Sequence, residues 1–378
     1  MRTVNDENPK RALLPLDPGN DERCNNPGFS GCFTFGDKRG SEHIGLASMH
    51  TLWVREHNRI ASTLKTLNPF WSGSRIFLTA REIVSAEIQS ILLNEWLPLV
   101  TDIDSSKTTY NKNIDPSIAN VFSHAVFRFG HTLVPDKFPL FDKNFDEFPQ
   151  RASISLREAF SNINPVKDYG IEPIMFGMMG NESEAFDGKF ASAIARHLFI
   201  PLGQGGLEDL TAINIHRGRD HGLPSYNDWR EECNLGRLKG WIDLQGEMSS
   251  KTIDNLQAVY NSVDDIDIFV GGVGEFAMPE KVVGKTFGCI IKRQFEDVFA
   301  GDRYFYKNYV FNNQQFDSIN GVKMKQIICD NLDGITSLHD NPFEAFKGSD
   351  QKRSLCVEDT NSPDYKGVRL NYWADAPY

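Results

Sequence analysis

Apolar residues recur every three or four positions along two long stretches of the 378-residue chain, and this spacing constrains the fold most. The stretches run from Ser48 to Leu67 and from Ala80 to about Pro98, and a shorter one runs from Phe186 to Leu202. Residues at this spacing share one face of an α-helix, so each stretch predicts a helix with one buried side. Strand signals are few and do not alternate with the helices. The sequence therefore predicts a mainly α fold with long irregular connections.

A candidate metal-binding histidine lies in another predicted helix, which begins near Asp115 and ends before Pro135. His131 and Arg128 are three residues apart and therefore share a face of that helix. A histidine in this setting is either a hydrogen-bonded core residue or a ligand for a haem iron. Arg128, if buried, needs an anion, which an aspartate or a haem propionate would supply.

An asparagine lies on the apolar face of the predicted helix from Leu207 to Arg217. Helical spacing puts Leu207, Leu210, Asn214 and Arg217 on one side. A buried asparagine must have hydrogen-bond partners, and Asn214 could accept the N–H of an imidazole that binds a metal. Alternatively, the segment is a polar cluster at the C-terminus of the helix, with Arg217 and Arg219 facing the last carbonyl groups.

The segment 37–42 carries the remaining candidate groups. An arginine such as Arg39 can polarise a metal-bound peroxide and stabilise the negative charge that develops. Glu42, three residues later, could reach the edge of a cofactor. The same pattern is also typical of a helix N-terminus with a solvated acidic first turn.

Composition limits the classes of partner. A formal net charge of −11 argues against nucleic acid and against an anionic membrane surface. No run of about 20 apolar residues is present, so a membrane-spanning helix is not expected. The first ten residues lack the apolar region of a signal peptide.

Six cysteines are spread along the chain without a C-x-x-C pair, which disfavours a zinc site. Their even number fits disulfides in an oxidising compartment, and buried free thiols of an intracellular protein are the alternative. The triplet Asn181-Glu182-Ser183 matches a glycosylation acceptor and favours secretion.

Several segments together resemble the animal haem peroxidase family, on the side that contains peroxidasin and peroxinectin. The resemblance extends from about residue 10 to the end, so residues 1–9 are interpreted as a tail and residues 10–378 as the peroxidase domain. The matching segments, in the order of the family, are 36–42, 46–61, 127–133, 212–224, 266–272, 301–303 and 328–331.

The resemblance implies a helical domain around haem b and assigns a role to each candidate residue. His131 would be the proximal iron ligand and Asn214 its hydrogen-bond partner. Arg39 would be the distal catalytic arginine, and Glu42 would form an ester bond to the haem. Arg128 and Arg217 would lie near the haem propionates. His43 follows Glu42 where myeloperoxidase has methionine, so a sulfonium link is not expected.

The resemblance also implies three disulfides: Cys24–Cys32, Cys233–Cys289 and Cys329–Cys356. It is incomplete at the front. The family's Gly-Gln-x-x-x-His-Asp type of segment, which supplies the distal histidine, an aspartate for a second haem ester and a calcium ligand, has no counterpart in the chain. We therefore expect an N-terminally truncated domain without the family's calcium site.

Two functions follow from the resemblance. The first is a secreted peroxidase, present here as a fragment, that uses hydrogen peroxide to oxidise a halide, a phenol or another small donor. The second is a degenerate, non-catalytic peroxidase-like module that binds extracellular matrix or acts in adhesion. Both predict an extracellular protein, and neither involves nucleic acid or a membrane.

Overall fold

We describe the protein from a computed structural model that covers residues 8–17, 31–104, 109–199, 208–308, 311–348 and 351–375. Helices joined by irregular segments form most of the described structure, which confirms the mainly α prediction. The α-helices are α1 Ile44–Leu67, α2 Gly73–Ile91, α3 Leu97–Val100, α4 Asn120–His124, α5 Leu156–Ala159, α6 Asn164–Tyr169, α7 Glu172–Gly180, α8 Ser192–Arg196, α9 Leu210–Asp220, α10 Tyr226–Glu232, α11 Ser250–Val259, α12 Ile268–Gly274, α13 Lys285–Gly301, α14 Asn313–Asn320 and α15 Met324–Asn331. Shorter 3₁₀ helices lie at Pro9–Arg11, Val126–Leu133, Trp241–Leu244, Val263–Asp265 and Leu370–Trp373.

The two long helices predicted from apolar spacing are confirmed and form the centre of the core. α1 packs against α2 along buried residues such as Leu52, Ile60 and Ile83. Ser72 caps α2 by accepting a hydrogen bond from the backbone N–H of Arg75. α2 then continues through a π-helical turn at Leu92–Trp96 into α3. Each buried face matches the stripe of apolar residues in the sequence.

The predicted helix from Asp115 to Pro135 is wrong in its extent. Residues 109–119 are not helical because α13 takes up their polar groups: Gln294 accepts a hydrogen bond from the Ala119 N–H and donates one to the Ser117 carbonyl. α4 is therefore short, and the chain breaks at Ala125 before the 3₁₀ helix Val126–Leu133. The break stacks the rings of Phe122 and Phe127 with their centroids 4.5 Å apart.

The predicted helix from Phe186 to Leu202 is also shorter in the structure. α8 spans only Ser192–Arg196, and residues 200–202 lie outside the described residues. Gly188 has φ +72°, a left-handed conformation that is incompatible with a right-handed helix, so the helix does not begin at Phe186.

Four short strands supplement the helices in the part of the chain that the structure describes. β1 Lys137–Pro139 pairs antiparallel with β2 Ser153–Ser155, and β3 Ser337–Leu338 pairs antiparallel with β4 Ser354–Leu355. α7 lies directly on β1: a Cβ at Gly177 would come within 1.7 Å of the Pro139 carbonyl oxygen. Only glycine allows this close approach.

A charged network is buried between α1, α2 and α15. Arg59 donates to Glu56 from Nε over 2.8 Å, and Asn331 Nδ2 donates to the same carboxylate over 2.6 Å. Glu87 is fully buried nearby. Burial, followed by the charge of Glu56, raises the pKa of Glu87 well above its ordinary value.

Two of the three expected disulfides are confirmed: Cys233–Cys289 joins the end of α10 to α13, and Cys329–Cys356 joins α15 to the residue after β4. The third includes Cys24, which lies outside the described residues. Within the described ranges, every helix is too short or too polar to cross a membrane.

Candidate functional site

The structure brings His131, Arg128 and Asn214 into direct contact. His131 and Arg128 lie on the 3₁₀ helix Val126–Leu133, in which residues three apart project in the same direction. Asn214 comes from α9 and is completely buried. Its Nδ2 lies 3.0 Å from His131 Nδ1, and its Oδ1 accepts a hydrogen bond from Arg128 Nη1 over 2.9 Å. One amide therefore joins the imidazole to the guanidinium.

The orientation of this amide links the position of the proton on His131 to the hydrogen bonding of Arg128. An amide nitrogen can only donate, so with Nδ2 facing the ring, His131 Nδ1 accepts and the ring proton is on Nε2. Nε2 can bind a metal only without that proton. Turning the Asn214 amide by 180° would place its oxygen against an Nδ1–H and free Nε2. The same turn would remove the acceptor of Arg128 Nη1. A His131 ready to bind a metal thus requires a new, preferably anionic, partner for Arg128.

Electrostatics at this cluster favour a neutral imidazole. Burial, assisted by the nearby Arg128 guanidinium, lowers the pKa of His131 to about 4. Burial and the neighbouring Arg217 guanidinium lower the pKa of Arg128 as well. Arg128 itself bonds only to neutral acceptors among the described residues, the Asn214 amide and the Ser123 carbonyl. Arg128 and Arg217 are adjacent and poorly neutralised, so together they are suited to binding an anion.

Arg217 lies on the exposed side of α9, next to this cluster. Its Nη1 is 3.8 Å from Asp220 Oδ2, a loose ion pair in which both side chains are more than half exposed. The two interpretations of the 207–217 segment therefore stay predictions. Asn214 faces the imidazole, and Arg217 lies in the last turn of the helix.

A second group is formed by Arg39, Asp37 and Glu42 in the turns before α1. Arg39 donates to Asp37 through two side-chain bonds, from Nε over 3.0 Å and from Nη2 over 2.7 Å. This pairing holds the pKa of Asp37 well below its ordinary range and raises that of Arg39. The Arg39 side chain is 72% exposed, and the charge of Glu42 also acts on it. Arg39 is therefore already paired with an anion.

Sequence reasoning assigned no structural role to two residues here, Asp37 and His43. Asp37 stands two positions before Arg39, where an aspartate in a turn can bond to the backbone, as its Oδ1 does with the Arg39 N–H over 2.8 Å. His43 is the N-cap of α1: its Nδ1 accepts from the Leu46 N–H over 3.3 Å, and its ring stacks on Phe138. Burial lowers the pKa of His43 to about 4. The Asp37 contact had a turn signal, whereas the His43 cap had none.

Comparison with known proteins assigns the chain to a family. Residues 1–343 match the model described as animal haem peroxidase. The chain is 34% identical to thyroid peroxidase of Sus scrofa over 361 residues and 39% identical to myeloperoxidase of Mus musculus over 350 residues. The chain belongs to the animal haem peroxidase family. These alignments cover 92% and 88% of this chain but 38% and 48% of the relatives, so the chain spans less than half their length.

Similarity to a solved structure agrees with this assignment. Peroxidase A from Dictyostelium discoideum superposes with a TM-score of 0.80 at 31% identity, over 91% of this chain and 66% of that one. A peroxidasin homolog of Homo sapiens is 37% identical over 345 residues, which is 88% of this chain and 23% of the relative. The mainly helical peroxidase fold expected from the sequence is therefore confirmed.

The residues present fit the haem that the family implies. The half-buried, neutral imidazole of His131 could provide a nitrogen ligand for the iron. The adjacent arginines Arg128 and Arg217 could neutralise the two propionates. Space is open at Gly130, the residue before His131, since a Cβ there would meet no atom beyond its two chain neighbours within 4 Å.

Proposed function

We propose that residues 10–378 form the haem-binding domain of an extracellular peroxidase that uses hydrogen peroxide to oxidise a small donor such as a halide or a phenol. The observation that carries this proposal is the contact of His131 with Asn214, which also bonds to Arg128. With the Asn214 amide turned so that its oxygen faces the ring, Asn214 would accept the His131 Nδ1–H and His131 Nε2 would be the iron ligand. Bound haem b supplies the redox chemistry, taking electrons from the donor and passing them to peroxide.

The remaining residues hold the cofactor and stabilise charge. Arg128, released from the Asn214 amide, and Arg217 bind the propionates. Glu42 is the residue that could esterify the haem. Arg39 is the catalytic arginine that stabilises negative charge as the O–O bond of peroxide breaks. This last role requires the Arg39 guanidinium to turn away from Asp37, with which it is paired.

The ligand assignment is tested by spectroscopy of the chain reconstituted with haem. His131→Ala should abolish or strongly shift the Soret band and the electron paramagnetic resonance signature of a histidine-ligated ferric haem. His216→Ala is the matched control, because His216 is an exposed histidine on the same helix, two residues after Asn214. An unchanged spectrum in His131→Ala would refute the assignment.

Turnover is a separate measurement. None of the matched positions carries the family's distal histidine, and losing general acid–base help typically costs about 10²–10⁴-fold in rate. We expect guaiacol oxidation by the reconstituted chain to be slower than in a complete relative by about that factor. Turnover at the relative's rate would contradict this expectation.

A second candidate is a non-catalytic module that binds extracellular matrix, a role compatible with the resemblance to peroxidasin. The pairing of Arg39 with Asp37 favours it, because a guanidinium already neutralised by a carboxylate stabilises peroxide charge less well. Asp37→Asn would free Arg39. If the haem-loaded variant gains turnover, the enzyme is favoured. If wild type and variant both bind haem but neither oxidises guaiacol, the module is favoured.

A further inference from the structure

A cavity of about 490 Å³ lies outside the His131 cluster, between α4, α10, α13 and the loop that follows α9. Its walls include Val121, Pro224, Trp229 and Ile290, and the Cys233–Cys289 disulfide forms part of its surface. No residue expected to hold haem lines it. Cavities of about 300–1,000 Å³ with largely apolar walls and a few polar groups are typical of small-molecule sites.

The charged residues around this cavity leave one carboxylate without a counterion. Glu232 pairs with Arg293 at 3.2 Å, and Asp228 pairs with Arg237 at 2.7 Å. Asp297, on α13, has no ion pair or side-chain hydrogen bond within the described part of the chain. It is partly buried at the cavity wall, where its charge is screened less than on the open surface. A cation that enters the cavity would meet this carboxylate.

We propose that this cavity binds a small arylalkylammonium, a cation with one ammonium group and one flat apolar body. The ammonium group pairs with Asp297. The apolar body packs on Trp229, Ile290 and Val121. Asp297 carries the charge left unpaired at the cavity wall, and on a chain of net charge −11 this charge favours cations over anions of the same shape. The site is independent of haem binding and of the function proposed above.

Direct binding of 2-phenylethylammonium, measured by titration calorimetry or ligand-observed NMR, tests the proposal. We expect a dissociation constant in about the millimolar range or tighter, and the neutral analogue 2-phenylethanol should bind about five- to tenfold more weakly. Asp297→Asn should weaken the cation by the same factor and leave 2-phenylethanol unchanged. Asp254→Asn is the matched control, because Asp254 is an exposed carboxylate on α11 that does not line the cavity.

A blocking variant tests the location. Ser117 is exposed at the cavity, and its bond to Gln294 uses only the backbone carbonyl, so Ser117→Trp should fold normally and fill the entrance. It should abolish binding of both the cation and 2-phenylethanol, with an unchanged circular dichroism spectrum. The proposal is overturned if the ammonium and the alcohol bind equally well to wild type, if neither binds, or if both folded variants bind the cation as tightly as wild type.

Discussion

The neutral His131 imidazole predicts a specific dependence of stability on pH. Its pKa falls from an ordinary 6.5 to about 4 in the folded chain, through burial and the neighbouring Arg128. Between these two values the unfolded chain binds the proton and the folded chain does not, so stability rises with pH. The contribution of His131 is fully present above pH 6.5 and is lost as the pH falls toward 4.

The magnitude follows from the two values. One pH unit corresponds to about 1.4 kcal/mol, so His131 would contribute at most about 3 kcal/mol to the free energy of unfolding. Solvent screening at this half-buried position reduces the expected contribution to about 2 kcal/mol. His43 has a similarly lowered pKa, so the wild-type curve alone does not isolate His131.

The assay is urea unfolding of the haem-free chain at several pH values between 7.5 and 4.5, for wild type and His131→Gln. As the pH falls over this range, wild type should lose about 2 kcal/mol more of its unfolding free energy than His131→Gln does. His216→Gln, which removes an exposed imidazole from α9, controls for the loss of a histidine and should leave the curve parallel to wild type. A His131→Gln curve parallel to wild type would refute the reasoning.

Three further predictions concern stability. Glu87→Gln should raise the free energy of unfolding at pH 7.5 by about 1 kcal/mol or more, because folding no longer requires protonation of a buried acid, and the gain should be smaller at pH 4.5. A lower unfolding free energy of the variant in urea titrations at pH 7.5 would contradict this. Gly177→Ala should lower the free energy of unfolding by at least about 2 kcal/mol and lower the calorimetric Tm, whereas Gly73→Ala, where the new Cβ faces open space, should not. Equal Tm values for the two variants would show that a Cβ at Gly177 does not clash with Pro139. Replacing Cys329 and Cys356 by serine should cost about 3 kcal/mol, and an unchanged urea midpoint would show otherwise.

Much of the fold could be predicted because it depends on local periodicity. α1 and α2 follow apolar stripes that any helix of that sequence would bury. The segment 109–119 could not be predicted, because its backbone groups bond to Gln294 and other residues of α13, far along the chain. Local signals such as Asp115-Pro116 favoured a helix there, and long-range hydrogen bonds prevailed.

In the candidate site, too, only the contacts set by local spacing could be predicted from the sequence. His131 and Arg128 share a face in either helical geometry, so their proximity follows from spacing alone. The contact with Asn214 was suggested by the chemistry of a buried amide and given its role by the family resemblance. The pairing of Arg39 with Asp37 depends on a turn, and turn conformations are poorly determined by residue type.

The single amide of Asn214 also sets an order of events during synthesis. Asn214 is 83 residues after His131 and 86 after Arg128, so both contacts wait for the closure of a long loop. At about 5–20 residues per second, a ribosome exposes the His131 segment roughly 4–17 s before α9 emerges. During that interval the imidazole has no partner to fix which of its nitrogens carries the proton. If His131 holds the haem as proposed, the haem should bind after α9 has docked, because a chain stalled before that point would present a histidine without a defined orientation.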